Sequence, residues 1–314
     1  MADEKLTALA ALANPTSDDL IYVVDDAGGT PVSKKATLGS GLMSYGVCDG
    51  RLTLTTAVPV TTADVTGTAT LYYTPYVGDQ IGLYNASGTW SVLAFTEKSL
   101  SLAGYTASKP YDIFAYDNAG TLALESLIWT DGTTRATALA YQNGILVKSG
   151  VATRRYLGTI YVNSAGGLTE DTVTARFVWN YYNRIKRTLA LFDASAHSYT
   201  DTAARSWNND ASIRVETIVG VLEDSVRFNL MVLFDTTADG VRYVSIGMDS
   251  TSTNIVELRC RSDLTHADNL QGWTSSYDLP LSTNWLGYHY WQIQERGSVG
   301  TGFANVILSG CILS

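Results

Sequence analysis

Hydrophobic and polar positions alternate along most of this chain in runs of strand length, and Gly, Asn and Asp gather between the runs. A period of two puts one face of a segment in a core and the other in solvent, so the pattern predicts β-strands joined by tight turns. Between residues 45 and 165 turn chemistry falls at Asn85-Ala86-Ser87-Gly88, Asp117-Asn118-Ala119-Gly120, Thr130-Asp131-Gly132 and Gln142-Asn143-Gly144. Across the first of these Ile81–Tyr84 faces Thr89–Leu93, and across the second Tyr111–Tyr116 faces Thr121–Glu125. Hairpins at this spacing predict a β-sandwich or small barrel for the central stretch. Further along, strands are predicted at Ile213–Val221, Val226–Phe234, Val241–Met248, Ile255–Cys260, Tyr288–Gln294 and Phe303–Leu313. These are enough for two packed sheets and predict a jelly-roll-like sandwich over 188–314.

Two stretches depart from this rhythm. Residues 1–44 begin with a helix-like run, Asp3 to Ala13, stopped by Pro15. A β-hairpin follows, whose apolar positions are Leu20, Ile21, Tyr22, Val23, Val24, Val32 and Leu38 around the turn chemistry of residues 25–31. A lone hairpin is marginal in water, so this segment is expected to dock on neighbouring copies or on another protein. After Gly166-Gly167, Thr169 is placed to cap a helix whose first turn carries Glu170 and Asp171, with Arg176, Arg184, Lys186 and Arg187 downstream. That charge order predicts a short connecting helix over 166–187. Its rings Phe177, Trp179, Tyr181 and Tyr182 predict packing against a domain or a sister chain. The expected plan is an attachment segment 1–44, a central β domain 45–165, a connector 166–187 and a jelly-roll-like domain 188–314, a mainly all-β fold.

Composition narrows the function classes. The 314 residues carry a formal net charge of −9, and only 16% of them are charged, which argues against nucleic acid, whose affinity rests on clustered Lys and Arg. No apolar run approaches the roughly 20 residues of a membrane helix, and the N-terminus lacks a basic start and a long apolar core, so no signal peptide and no membrane partner are expected. Cys48, Cys260 and Cys311 are widely spaced and read as buried thiols. Neither Asp117–Gly120 nor Asp235–Gly240 matches a calcium loop, so both read as turns, and no metal or other cofactor is expected.

The run Asp18-Asp19-Leu20-Ile21-Tyr22-Val23-Val24-Asp25-Asp26, followed by Gly29-Thr30-Pro31-Val32-Ser33-Lys34-Lys35-Ala36-Thr37-Leu38-Gly39, resembles a segment at the front of bacteriophage tail-fibre, tailspike and head-fibre-like proteins. Tyr72–Ile81, Ala107–Asp112, Arg154–Thr159, Arg176–Asn180 and Gly287–Tyr290 are similar to the same group. The resemblance implies a virion component made in the host cytoplasm, a homotrimer held to other virion proteins through residues 1–44, with no catalytic motif. A tail fibre or spike is the leading expectation. A capsid head-fibre or decoration protein and a polysaccharide-degrading tailspike enzyme are the alternatives.

Candidate chemistry is sparse. His197, His266 and His289 are scattered, and no metalloprotease, hydrolase or phosphate-loop motif occurs, so a non-enzymatic role is expected. Glu216, Glu223, Asp224 and Glu257 read as solvent-facing strand and turn charges. Aromatic residues concentrate at Trp273, Tyr277, Trp285, Tyr288, Tyr290 and Trp291. Core or subunit packing is the expectation for most of them, with Tyr288 and Tyr290 on one strand face and His289 and Trp291 on the other. Trp273, Tyr277 and Trp285 are the candidates for stacking on a bacterial surface glycan.

Overall fold

The computed structural model describes residues 20–25, 32–37, 45–223, 225–235, 240–262, 270–279, 284–297 and 302–314. The N-terminal hairpin is present as read. Leu20–Asp25 (β1) runs antiparallel to Val32–Thr37 (β2), with Leu20 opposite Thr37 and Asp25 opposite Val32. These strands form a two-stranded sheet of their own. The helix expected at 3–13, the turn residues 26–31 and Leu38 lie outside the described residues.

The central stretch is a stack of small antiparallel sheets. Its strands are β3 (Gly50–Thr53), β4 (Val65–Thr68), β5 (Thr70–Pro75), β6 (Gln80–Tyr84), β7 (Trp90–Ala94), β8 (Lys98–Ser101), β9 (Lys109–Asn118), β10 (Thr121–Ile128), β11 (Leu139–Gln142), β12 (Ile145–Lys148) and β13 (Val151–Val162). They assemble as β3-β5-β8, as β6-β7, and as β10-β9-β13-β12-β11. The predicted turns set the registers. Tyr84 faces Trp90 across a loop in which the Asn85 side chain accepts the Ser87 and Thr89 amides at 3.0 and 3.1 Å. Asn118 faces Thr121 across Ala119-Gly120, and Gln142 faces Ile145 across Asn143-Gly144. In both two-residue turns the central residues have positive φ, the conformation whose twist matches the flanking strands. Leu52, Leu71, Ile81, Leu83, Ile113, Leu157 and Ile160 fill the core between these sheets. Of the two expected forms, sandwich and barrel, the chain adopts packed sheets.

The expected connecting helix is absent, which corrects the reading of 166–187. Here lie β14 (Thr169–Asp171), β15 (Ala175–Arg176) and β16 (Val178–Asn180). Thr169 does not cap a helix; its hydroxyl donates to the Tyr161 carbonyl at 2.7 Å. The charges that resemble helix-terminal residues are ion-pair partners instead, Asp171 receiving Arg176 at 2.9 Å and Arg187 at 2.7 Å. Phe177, Val178 and Trp179 are all buried. A segment buried on both faces and rich in β-branched and aromatic residues gains more from a pleated sheet than from a helix with one apolar stripe.

The C-terminal strands are β17 (Lys186–Asp193), β18 (His197–Ser198), β19 (Arg205–Ser206), β20 (Arg214–Val219), β21 (Val226–Asp235), β22 (Gly240–Met248), β23 (Val256–Ser262), β24 (Leu270–Leu279), β25 (Gly287–Gly297) and β26 (Gly302–Leu313), with a 3-10 turn at Trp207–Asn209. One sheet has the order β17-β26-β21-β24; the other contains β23-β22-β25-β20. Chain order crosses between the two sheets at β17, β20, β21 and β22 and again at β23, β24, β25 and β26, which is jelly-roll winding. Phe228, Leu230, Val232, Phe234, Val306 and Leu308 from one sheet meet Val215, Val244, Ile246, Trp291 and Ile293 from the other. Each such side chain contributes roughly 1.5–3 kcal/mol by leaving water.

The second sheet does not stop at β20. It continues through β15 and β14 to β4, with β15 parallel to β20, so a strand from residue 65 onward joins the jelly roll. Tyr161 stacks on Tyr288 with ring centroids 4.1 Å apart. Gly220 and Gly287 mark close approaches between the central strands and the jelly roll. A Cβ on Gly220 would meet the Tyr156 hydroxyl and the Trp179 ring, and one on Gly287 would meet the Gly132 carbonyl.

Candidate functional site

The structure separates the candidate residues of the C-terminal aromatic group. Trp285 is fully buried in the sandwich core, so no sugar in solution reaches its ring; this corrects its reading as a stacking residue. Tyr277 is half-buried on β24 and packs against the same core. The backbone of Trp273 lies on β24 opposite Val232, and its side chain is outside the described residues. Trp291 is buried beside Phe228, and its indole N–H donates to the Thr217 hydroxyl at 3.0 Å. Tyr290 lies under the Arg214 guanidinium, 4.5 Å from ring centroid to Cζ. The period of two along β25 thus divides its rings as read, His289 and Trp291 to the core and Tyr288 and Tyr290 to the opposite face. Among the described side chains, Trp285 in the core and half-buried Tyr277 do not form one exposed platform.

Three titratable clusters were not legible as units. In the first, His197 lies against Glu295, whose other oxygen accepts Arg205 at 2.8 Å, and the imidazole Nδ1–H donates to the Ser195 carbonyl 2.8 Å away. Burial alone would lower the His197 pKa, but the bonds to Glu295 and Ser195 outweigh it and raise it. In the second, His289 is held 2.6 Å from Asp249 and 3.2 Å from the Leu286 carbonyl. In the third, Arg135 pairs with Asp112 at 2.7 Å and also donates to the Gly220 carbonyl, tying the central sheet to the jelly roll. Asp112 also accepts Thr159 at 2.7 Å, and its burial holds its carboxyl above the usual range despite Arg135.

Each of these clusters joins neighbouring strands or loops and has its polar atoms engaged within the protein, the arrangement of structural ion pairs. Asp112 and Arg155 sit inside strand-length apolar runs, and a charge at such a position was the one sequence signal for a buried pair. Nothing along the chain announced that Arg135 lies 23 residues from its partner in sequence and in bonding contact with it. Among the described residues no group of three or more His, Cys, Asp or Glu is placed to hold a metal ion, and no helix is long and apolar enough to cross a membrane.

One pair of carboxylates interacts at the junction of the two halves. Glu170 is held above the ordinary glutamate value, first by burial and then by the charge of Glu216. Glu216 accepts Arg214 at 2.9 Å and the Tyr288 hydroxyl, and Glu170 accepts the Asn163 amide at 2.7 Å.

No protein-family model matches the chain, and no curated protein matches it. Among solved structures it is similar to a β-porphyranase of glycoside hydrolase family 86 from the human gut bacterium Bacteroides plebeius, at TM-score 0.26 and 9% identity, over 81% of this chain and 36% of that one. It is also similar to the structure of infectious bursal disease virus Gx strain, at TM-score 0.29 and 12% identity, over 80% of this chain and 71% of that one. A third likeness is to an insecticidal delta-endotoxin from Bacillus thuringiensis, at TM-score 0.23 and 8% identity, over 84% and 51% of the two chains. The chain spans about a third of the length of the β-porphyranase, and no function passes to it from likenesses this distant.

Proposed function

We propose that this chain is a non-enzymatic structural protein of a tailed bacteriophage particle, a trimeric fibre or spike attached through residues 1–44 and displaying its jelly roll for contact with a host-surface glycan. The observation that carries the reading is the N-terminal hairpin, whose β1 and β2 hydrogen-bond to each other and, among the described residues, form no sheet with another strand. Two strands alone do not hold a hairpin in water, and a partner surface supplies the missing burial. The sequence around that hairpin resembles the docking segment of phage fibre and spike proteins, which supports the virion as the source of that surface. Structural engagement of the buried titratable groups supports a display role over catalysis.

Cryo-electron microscopy of the intact particle tests this. Density for residues 20–37 against a tail protein, with the jelly roll outward and three copies around one axis, is the expected result. Density spread over the capsid lattice would make the chain a head decoration, and absence from the particle would sink the proposal.

Polysaccharide cleavage is a second reading with one observation in its favour, the neighbouring carboxylates Glu170 and Glu216, since a carboxyl raised by burial and by the charge of a second carboxylate is a pattern found in glycoside hydrolysis. Release of reducing ends from host polysaccharide by the wild-type chain, abolished in Glu216→Gln, would establish it; no release is expected.

A further inference from the structure

A pocket of ≈ 300 Å³ opens where the loop before β4, the turn between β14 and β15, and strand β17 converge. Its floor contains two buried guanidinium groups, those of Arg176 and Arg187. Both are fixed. Arg176 donates to the Thr188 carbonyl from Nε at 2.9 Å and Nη2 at 2.8 Å, and to Asp171 from Nη1 at 2.9 Å. Arg187 donates to the Thr61 carbonyl at 2.7 Å, the Thr61 hydroxyl at 3.0 Å and Asp171 at 2.7 Å. A guanidinium carries about five N–H donors, so donors remain on each after these bonds.

Charge in this pocket runs against the molecule. The chain as a whole carries −9, yet Arg176, Lys186 and Arg187 line the pocket against Asp64 at its rim and Asp171 behind it, three cations to two carboxylates. Arg51 adds a further cation beside the cluster, bonded to the carbonyl oxygens of Pro59, Asn183 and Ser314. Burial and then the charge of Arg187 push its pKa down to about 10, the signature of positive groups crowded in a poorly solvated space. Lys186 is exposed at the mouth with an ammonium free to turn toward a ligand. Thr62 and Thr188 line the same wall. A second hollow of ≈ 360 Å³, lined by Lys186, Ser225, Cys311, Leu313 and the ion pair Arg227–Asp278, lies on the other side of Lys186 over the β17-β26-β21 sheet.

We infer that this pocket binds the carboxylate of an acidic sugar within a longer glycan, with Lys186 between successive residues. Cations outnumber carboxylates around the pocket, which suits a bound anionic group. Immobilised guanidinium forks suit a planar carboxylate. The volume admits a single sugar ring, at the low end of small-molecule sites. The inference rests on the glycan-contact reading above and names the chemical class of the glycan and the place where it binds.

The test titrates the full-length chain with sodium glucuronate, glucose and sodium phosphate, followed by NMR or calorimetry. Glucuronate is expected to bind and glucose not to. Lys186→Ala should weaken glucuronate about tenfold by removing a charged hydrogen bond, and Lys186→Glu should abolish binding. Asp64→Asn, which keeps the oxygen that accepts the Val173 amide at 2.9 Å, should tighten binding by removing the opposing charge. Both positions are exposed, so unchanged thermal melting is the check on folding. Equal binding of glucose, displacement of glucuronate by equimolar phosphate, or indifference to Lys186→Glu would each overturn the inference. Attachment of the labelled chain to host cells separates this from the broader reading. Attachment that survives Lys186→Glu sinks the pocket and leaves the display role, while glucuronate binding without any cell attachment keeps the pocket and sinks the display role.

Discussion

Asp112 stands between Tyr111 and Ile113 on β9 with its carboxyl buried at 1% exposure and Arg135 as its ion partner. Removing one member of such a pair strands the other in a poorly solvated site, which costs about 3–5 kcal/mol. Asp112→Ala is therefore expected to lower unfolding free energy by that amount in a urea titration, far more than Arg227→Ala, whose pair with Asp278 is more than half exposed on both sides. His197 makes a pH-dependent contribution. Its folded pKa lies above the ordinary value, so the folded state holds the proton more tightly than the unfolded one. The stabilisation is fully present below about pH 6.5 and fades as pH rises through the folded value. His197→Phe, stacked on Phe303 as the imidazole is now, should flatten that part of the stability-pH curve; a slope unchanged from wild type would refute the assignment.

At the scale of elements, the strands and hairpins follow directly from alternation and turn residues, because the backbone of a two-residue Asn-Gly or Ala-Gly turn sets the register without help from elsewhere. The connector does not. Thr169, Glu170 and Asp171 followed by basic residues satisfy a helix-end pattern locally, and only the positions of Thr61, Arg187 and the Tyr161 carbonyl show those groups to be spent across strands. Local charge order is worth tenths of a kcal/mol, while burying Phe177 and Trp179 on one side of the segment and Val178 on the other is worth several, so packing decides. Gly287 belongs to this scale as well. It has φ +97 and lies against the loop that carries Gly132, whose carbonyl accepts the Tyr288 amide at 2.8 Å. Gly287→Ala combines a disfavoured backbone with a steric clash and should cost about 1–3 kcal/mol, read as a lowered midpoint in thermal unfolding. An unchanged midpoint would mean that the loop moves aside freely.

For the whole molecule the jelly roll and the central sheets share a sheet through β4, β14 and β15 and a hydrophobic core that includes Phe114, Tyr156 and Tyr161 as well as jelly-roll residues. Truncation after residue 165 should therefore yield an aggregating or unfolded fragment in place of an independent domain, checked by circular dichroism and light scattering. The hairpin is the opposite case. Deleting residues 1–44 should leave the thermal midpoint of the remainder within about 2 °C, since a ΔΔG under 0.5 kcal/mol moves a protein of this size little, while sedimentation should show the trimer proposed for the full-length chain weakened or lost. By itself the sequence determined the mainly-β class, the hairpin registers, the jelly-roll strands other than β17 and β24 and the two faces of β25, because period and turn chemistry are local properties of the chain. Tertiary structure alone decided that the connector is extended, that Trp285 is core and not surface, and that Asp171, Arg176, Lys186 and Arg187 meet around one pocket. Those outcomes depend on which distant residues share a space, and the desolvation and pairing of charges in that space are set by neighbours that no local pattern names.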